Sequence, residues 1–444
     1  MKTLAIIGSG ISGLGSAWFL HRDFDVTVFE AADYIGGHTH TVTVDDGGRP
    51  APIDTGFMVF NQVTYPHLTR LFSTLGVPIM PTDMSFGVQH LPRGLEYCGS
   101  SLNHLFAQRS NLLRPSFYRM LLQIDRFNRE AAAALDDPQL RNLSLDDYVR
   151  RRGYGEDFFQ LYLIPMSSAV WSTPPAQMRR FPAATLLRFF HNHGFLGLHT
   201  QHPWWTVTGG AQSYVERLTA PFRERIHLRT PVRSVRRLPG GGVEVATGTA
   251  SRRFDKVVFA CHAPTALALL GPEATPDERR LLEPFHYQPN TVTLHTDSSI
   301  MPRARLAWSA WNYRLDAQPS GAQDGAGPAE LAVSTHYWMN RLQNVSERRN
   351  YFVSVDGAQL LDPAHTLRTF AEEHPLFDLA AAQAQPEIPA LNAAGIGRTE
   401  TYFAGAWQRY GFHEDGLLSA VNLSALLLGG DPWERYSAAA RSSA

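Results

Sequence analysis

Residues 3–30 read TLAIIGSGISGLGSAWFLHRDFDVTVFE, and this stretch decides the fold. Thr3 to Ile7 is an apolar run without polar alternation, the pattern of a strand buried on both faces. Gly8-Ser9-Gly10-Ile11-Ser12-Gly13 follows at once, in the spacing GxGxxG. Leu14 to His21 predicts a helix with apolar residues turned back to the sheet. Asp25 to Phe29 predicts a second strand, ending at Glu30. The three glycines have separate physical roles. Gly8 permits a tight turn, Gly10 lets a pyrophosphate approach the backbone, and Gly13 lets the helix lie close to the strand. The helix N-terminus offers unpaired N–H groups and the positive end of its dipole to a phosphate. Glu30 stands 17 residues beyond Gly13, where a carboxylate accepts from ribose hydroxyls and disfavours a 2′-phosphate. Strand, turn, helix, strand and terminal acid, in that order, predict a dinucleotide site on a parallel sheet.

The chain has 444 residues, 44% of them hydrophobic and 18% charged, enough to bury a sizeable core. At roughly 150 residues per domain that length suggests about three domains. Forty Lys plus Arg against 41 Asp plus Glu give a net charge of −1, without the basic excess of a nucleic-acid binder. Lys2 and Lys256 are the only lysines. Cys98 and Cys261 are the only cysteines and form no CxxC pair, so neither a dithiol centre nor a cysteine zinc site is expected. No apolar run reaches the roughly 18 residues of a membrane span. Leu4 to Leu20 has the look of a signal peptide but lacks a cleavage site, and a cytoplasmic location is expected.

The pattern continues past Glu30. Glu30-Ala31-Ala32-Asp33-Tyr34-Ile35-Gly36-Gly37-His38 has the form ExxxxxGGH, and Ile53-Asp54-Thr55-Gly56-Phe57 follows. At the far end, Thr401-Tyr402-Phe403-Ala404-Gly405-Ala406-Trp407 reads as a strand closing in a glycine turn. Tyr410-Gly411-Phe412-His413-Glu414-Asp415-Gly416 then leads into an apolar helix from Leu417 to Leu428. Between them, Trp205-Thr206-Val207-Thr208-Gly209-Gly210 precedes a helix to Leu218, Ile226 to Val235 reads as a strand, Gly240-Gly241-Gly242 as a hairpin turn, and Asp255 to Cys261 as another buried strand. There is no second GxGxxG.

These segments together resemble the flavin amine oxidase and phytoene desaturase superfamily. The resemblance implies an α/β fold: a Rossmann-type FAD-binding domain (glutathione-reductase-like second group) interleaved with an α+β substrate domain. It implies FAD contacts from Gly8, Ser9, Gly10, Ile11, Ser12, Gly13, Glu30, Ala31, Gly36, Gly37, His38, Thr55, Gly56, Phe57, Val232, Gly405, Glu414, Asp415, Gly416 and Leu417. The family usually carries Arg or Lys after the double glycine; this chain has His38. Val232 sits where the family's backbone meets adenine. The C-terminal helix is where a helix N-terminus stabilises negative charge on a reduced flavin, with Leu417 and Leu418 as expected donors. Relatives with covalent flavin use a cysteine at a position that holds none here, so FAD is expected to be non-covalent.

GGHTHTV, DTGFMVFN, PMSSAVWSTP, FHNHGF, THYWMNRLQ and GAWQRYGFHEDGL resemble more narrowly a bacterial subgroup of FAD-dependent amine-oxidoreductase-like proteins, over nearly the whole chain. That subgroup is associated with cyclopropane-fatty-acid-synthase-like methyltransferases and with dehydrogenation of methyl-branched fatty acyl chains. The likeness implies an apolar or lipid substrate and a lipid methyltransferase partner.

The motifs divide the chain into FAD-binding segments 1–64, 201–275 and 396–444 and substrate segments 65–200 and 276–395. The first substrate segment predicts a helix from Ser116 to Leu135, stopped by Asp136-Asp137-Pro138, and a second helix capped by Ser144 and Asp147 and ended by Gly153 and Gly155. The second predicts strands at Asn290 to His295, Arg305 to Asn312 and Glu330 to Met339, with a flexible hairpin loop over 317–329. Trp171, Trp204, Trp205, Trp308, Trp311, Tyr337 and Trp338 are open to two readings, domain core or the lining of an apolar chamber. Arg150-Arg151-Arg152 and Arg179-Arg180 are either a solvated helix face or a contact with lipid headgroups at the inner membrane face. His191, His193 and His413 lack metal-ligand spacing; His193 and His413 are candidate proton carriers.

Three functions stay in view. One is a dehydrogenase passing hydride from an apolar C–H bond to flavin N5. A second is an amine oxidase; many relatives place a lysine at flavin N5, and the corresponding strand, Asn290 to His295, has none. A third is a redox-neutral isomerase or lipid-binding flavoprotein.

Overall fold

The computed structural model describes residues 1–197, 200–317 and 331–437. The loop expected over 317–329 falls almost wholly outside them. Five strands form one parallel sheet in the order Ile226–His227, Phe24–Phe29, Lys2–Ile7, Lys256–Phe259, Thr401–Phe403. Leu4, Ala5, Ile6, Val257 and Val258 are fully buried, as the unalternating apolar runs require. One sheet therefore gathers the start, middle and end of the chain. The linear count of about three domains gives way to interleaving.

A second sheet of seven strands runs Thr366–Leu376, His286–His295, Phe352–Val355, Leu331–Trp338, Trp311–Ala317, Phe86–His90, Leu95–Cys98. Its pairs are antiparallel except Trp311–Ala317 with Phe86–His90, which is parallel. Helices from the first insertion cover it. Pro115–Ala134 begins with proline at its first turn, where the missing N–H costs nothing. In Leu145–Arg152, Ser144 accepts from the Asp147 amide and Gly153 closes the helix in the left-handed conformation.

Several expectations are corrected. The run from Ile226 to Val235 is not one strand. Ile226–His227 joins the parallel sheet, Arg229 turns with φ +51°, and Val232–Arg237 enters a separate antiparallel sheet. Pro231 has no N–H to continue the ladder. Arg305 to Asn312 is not a strand either: Arg305–Ala307 is a 3₁₀ turn and pairing starts at Trp311. The edge strand Thr366–Leu376 is an addition that the sequence pattern does not predict.

The aromatics open to two readings, core or chamber lining, fall into several contact groups, and Trp171 and Trp204 are linked through Phe189 and His193. Trp308 and Trp338 meet each other at 5.3 Å, and Trp204 lies over His193. Trp171 and Tyr337 flank Ser172. Of the arginines read as a solvated helix face or a lipid contact, four are engaged in ion pairs: Arg150 with Asp146, Arg151 with Asp137, Arg152 with Glu130, Arg179 with Asp146 and Glu156. Among the described residues no helix is long and apolar enough to cross a membrane.

Candidate active site

The nucleotide turn is shaped by close backbone approach. A Cβ on Gly13 would stand 2.0 Å from the Gly8 carbonyl oxygen, and one on Gly8 2.5 Å from that of Ala260. Gly10 differs: a Cβ there meets nothing within 4 Å. Open space over Gly10, at the N-terminus of the helix Ile11–Leu20, fits a phosphate cradle. Gly37 closes its far side, its added Cβ lying 3.0 Å from the Gly10 Cα. The helix begins at Ile11 rather than Leu14, so the motif forms its first turn.

Glu30 arrives at the same turn. Its carboxylate accepts from the Ser9 amide at 2.8 Å, the Ser9 hydroxyl at 2.6 Å and the Ala32 amide at 2.8 Å. The backbone of Glu30 bonds His227 and Thr230, which brings the segment leading to Val232 alongside.

The C-terminal helix His413–Leu428 meets the first helix where both begin. A Cβ on Gly416 would lie 2.7 Å from Ile11, and one on Gly15 3.0 Å from Leu417. Two positive helix ends are thus directed to one place. The helix starts four residues earlier than expected. Gly416 N–H already bonds Phe412 C=O, so Leu417 and Leu418 lie inside the intrahelical ladder. The free donors are the first-turn amides of His413, Glu414 and Asp415.

The carboxylates of Glu414 and Asp415 serve the protein. Glu414 accepts from the His67 and Leu68 amides at 3.0 and 2.9 Å, capping the helix Pro66–Leu75. Asp415 accepts from the Phe412 amide at 2.9 Å and faces Arg409 at 3.6 Å. Burial pushes Glu414 up to about 7 and Asp415 up to about 6. Asp54 is fully buried at the entry to the helix Gln212–Thr219, accepting from the Ala211 amide, Thr41 and Gln343. Burial raises it to about 6.

The two expected proton carriers have protein partners. His413 stacks on Phe57 at 3.9 Å, and its Nε2 lies 2.6 Å from the Tyr214 hydroxyl, which also bonds Thr39. It clamps the double-glycine segment, the Thr55–Phe57 turn and the C-terminal helix together. Burial pushes it down to about 3. His193 donates through Nδ1 to Phe189 C=O at 2.9 Å, between the Phe189 and Trp204 rings. It lines a cavity of about 360 Å³ with Tyr65, Arg409 and Glu414, and burial lowers it to about 4. No ring contact joins the two histidines.

A third histidine, missed in the sequence, occupies the junction between the sheets. Along Thr366–Leu376, Phe370, Glu372 and His374 alternate on the more buried face. Phe370 meets His40 edge-on at 4.6 Å, Glu372 faces His38 at 3.6 Å, and the His374 ring lies 5.5 Å from that of His38. His38 and His40 flank the Thr55–Phe57 turn through backbone bonds. This face therefore looks onto the segments expected to hold the flavin.

Behind His374 runs a polar chain. Its Nδ1 is 2.7 Å from Asn290 Oδ1, and Asn290 Nδ2 donates to Asp356 Oδ2 at 2.5 Å and towards Ser172 C=O at 3.4 Å. Both partners of Nδ2 only accept, so the amide orientation is fixed and Oδ1 must face the imidazole. Nδ1 then carries the proton, and Nε2 keeps its lone pair. Burial, with His38 and His262 nearby, lowers His374 to about 3. Ser172 and Asp356 hold φ of +50° and +58° without being glycine, strain of a kind that gathers at functional sites.

Residues 11–428 match the family described as flavin-containing amine oxidoreductase. The chain belongs to that family. A carotenoid phi-ring synthase from Streptomyces griseus is 26% identical over 283 residues, 58% of this chain and 52% of the synthase. The match thus spans about half that relative's length. The fold is shared with a fatty acid isomerase from P. acnes that produces CLA (TM-score 0.65, 16% identity, 96% of this chain and 98% of the isomerase). It is shared too with cyclohexylamine oxidase from Brevibacterium oxydans (TM-score 0.64, 18% identity, 96% and 99%). This oxidoreductase family has a flavin cofactor, and the open space at Gly10 and the paired helix ends fit one. Among the described residues no cluster of three or more His, Cys, Asp or Glu could hold a metal ion.

The buried titratable groups set an expected pH dependence of stability. His193, His262, His374 and His413 all lie at about 3 to 4 in the fold against 6.5 unfolded. Unfolding takes up their protons, so stability falls as pH drops through 6.5. Asp54, Asp415 and Glu414 are raised and act oppositely, their contribution being lost as pH rises through 6 to 7. His295, also at about 4, and His336, lowered by complete burial, act with these four, so the histidines outweigh the three carboxyls. The melting temperature of flavin-free protein should rise from about pH 5 to about pH 7 and then level off. A higher melting temperature at the acid end would refute this balance.

Proposed function

We propose that the chain is a dehydrogenase that binds FAD without a covalent link. It would take a hydride and a proton from neighbouring carbons of an apolar substrate, a methyl-branched fatty acyl chain, and leave a double bond. The observation that carries the reading is the His374–Asn290–Asp356 chain on the sheet face opposite His38 and His40. Bound FAD supplies the hydride acceptor. Its pyrophosphate would lie at Gly10, with Glu30 at the ribose. As hydride leaves, the neighbouring C–H becomes strongly acidic, so a weak base suffices. His374 Nε2 accepts that proton, and its low basicity keeps it unprotonated beforehand.

An amine oxidase using lysine is less well supported. Lys256 is buried in the parallel sheet, bonded to Glu400 and Tyr402, and Lys2 opens the first strand. Relatives named for a carotenoid and a fatty acid also support an apolar substrate. A lipid methyltransferase acting beforehand would supply the methyl branch. For the cofactor link, Cys98 is buried in the seven-stranded sheet, and burial raises Cys261 to about 12, which supports FAD held without a thioether.

Anaerobic titration of the flavoprotein with extracted lipids tests the reading. Substrate should bleach the flavin band and return a product lighter by two hydrogens, and acid precipitation should release all the flavin. A product of unchanged mass would instead indicate an isomerase, and peroxide formed from amines would indicate an oxidase.

A further inference from the structure

Among the described residues ten large hydrophobic side chains are exposed, and six of them lie in two segments that pack together: Leu102, Leu112, Leu113, Tyr118, Leu122 and Leu306. Leu113, Leu102 and Leu122 are 87%, 77% and 70% exposed, values that a buried interface within the chain would not leave. The segments are held rigidly. Phe106 packs on Phe117 and Tyr118, and the Tyr118 hydroxyl donates to Leu112 C=O. Leu122 follows Tyr118 by one turn on the helix Pro115–Ala134. The short helix Leu102–Leu105 contacts the turn holding Leu306. Scattered exposed leucines need no explanation, but a cluster does.

Its charge is mostly basic, and Asp125, the first acid beyond Leu122 on the helix, is paired with Arg129. From Tyr97 to Ile124 there is no Asp or Glu, while Arg109, Arg114 and Arg119 are present. Arg109 donates to Phe106 C=O and Asn103, and Arg114 to Arg93 C=O, all neutral groups. Of the three, Arg119 alone reaches a carboxylate among the described residues, that of Asp157. The arginine run at 150–152 is by contrast held by acidic partners.

We propose that this face seats on an anionic bilayer, its leucines entering between headgroups and Arg109 and Arg114 meeting lipid phosphates. Leucine tips beside guanidinium groups without a carboxylate partner complement that surface, apolar below and negative above. The inference does not depend on the substrate, since adsorption is measured without turnover.

The protein is tested by co-sedimentation with vesicles of phosphatidylglycerol and phosphatidylcholine in equal parts, and of phosphatidylcholine alone. Binding is expected to the first and to fall about tenfold on the second or in about 0.5 M salt. Leu113→Glu with Leu122→Glu, and separately Arg109→Glu with Arg114→Glu, should each reduce binding by about tenfold or more with an unchanged melting temperature. Arg150→Glu should leave binding as it is. No binding of the unaltered protein to anionic vesicles, or equal binding by the variants, overturns the proposal. So does a dimer in solution that Leu113→Glu dissociates without any vesicle binding.

Discussion

Replacing Gly10 with valine is expected to yield a folded protein that purifies without its flavin. The residue has φ −69° and ψ 177°, open to any amino acid, and its Cβ would meet no protein atom within 4 Å. A side chain at Gly10 therefore starts into open space. The valine methyl groups occupy the space where a pyrophosphate must approach the first-turn amides of Ile11–Leu20. Flavin affinity should fall by at least about 100-fold. Gly13→Val separates cofactor binding from folding, because its Cβ would collide with the Gly8 carbonyl at 2.0 Å, so that variant should lose stability as well. The measurements are flavin absorbance per chain and thermal unfolding with and without added FAD. Wild-type protein should gain stability from FAD, and Gly10→Val should not. A yellow Gly10→Val protein would show that the cofactor does not approach this turn.

The contrast between Gly10 and Gly13 also shows what was legible in the sequence. Spacing alone identified the turn, because each glycine answers a local constraint. The helix starts were less visible. Ile11–Leu20 and His413–Leu428 begin inside glycine-rich motifs, where low helix propensity argues against helix. Contact overrides propensity there, since Gly15 and Gly416 let the two helices approach as no larger residue would. The segment 366–376 was hidden for the opposite reason. Thr366–Leu376 is an edge strand with one exposed face, so its charged residues mask the alternation of Phe370, Glu372 and His374. Asn290 was visible as a strand residue, but only the register placing Gln288 opposite His374 and Asn290 opposite Glu372 puts it beside the imidazole.

His374→Gln should lower kcat by roughly 100- to 10,000-fold, the range of a lost proton acceptor. Flavin content and melting temperature should stay near wild type. Glutamine fills similar space and its amide can still donate to Asn290, but it has no basic nitrogen. The proposed role also fixes the pH profile. With His374 lowered to about 3, the acid-side fall of kcat that this group causes should lie well below 6.5 and should vanish in His374→Gln; an acid-side fall unchanged in His374→Gln would count against the role. Asn290 and Asp356 are positioning residues, and their test needs no turnover. Long-range ¹H–¹⁵N spectra of flavin-free protein should show His374 as the Nδ1–H tautomer at neutral pH. Asn290→Leu removes the acceptor placed at Nδ1 and should populate the Nε2–H tautomer, whose lone pair lies on Nδ1 and not on Nε2. Asn290→Asp combined with Asp356→Asn keeps an acceptor at Nδ1 and a donor–acceptor pair behind it, and should restore the tautomer. If Asn290→Leu left both tautomer and kcat unchanged, the polar chain would only be bracing the strained turns at Ser172 and Asp356.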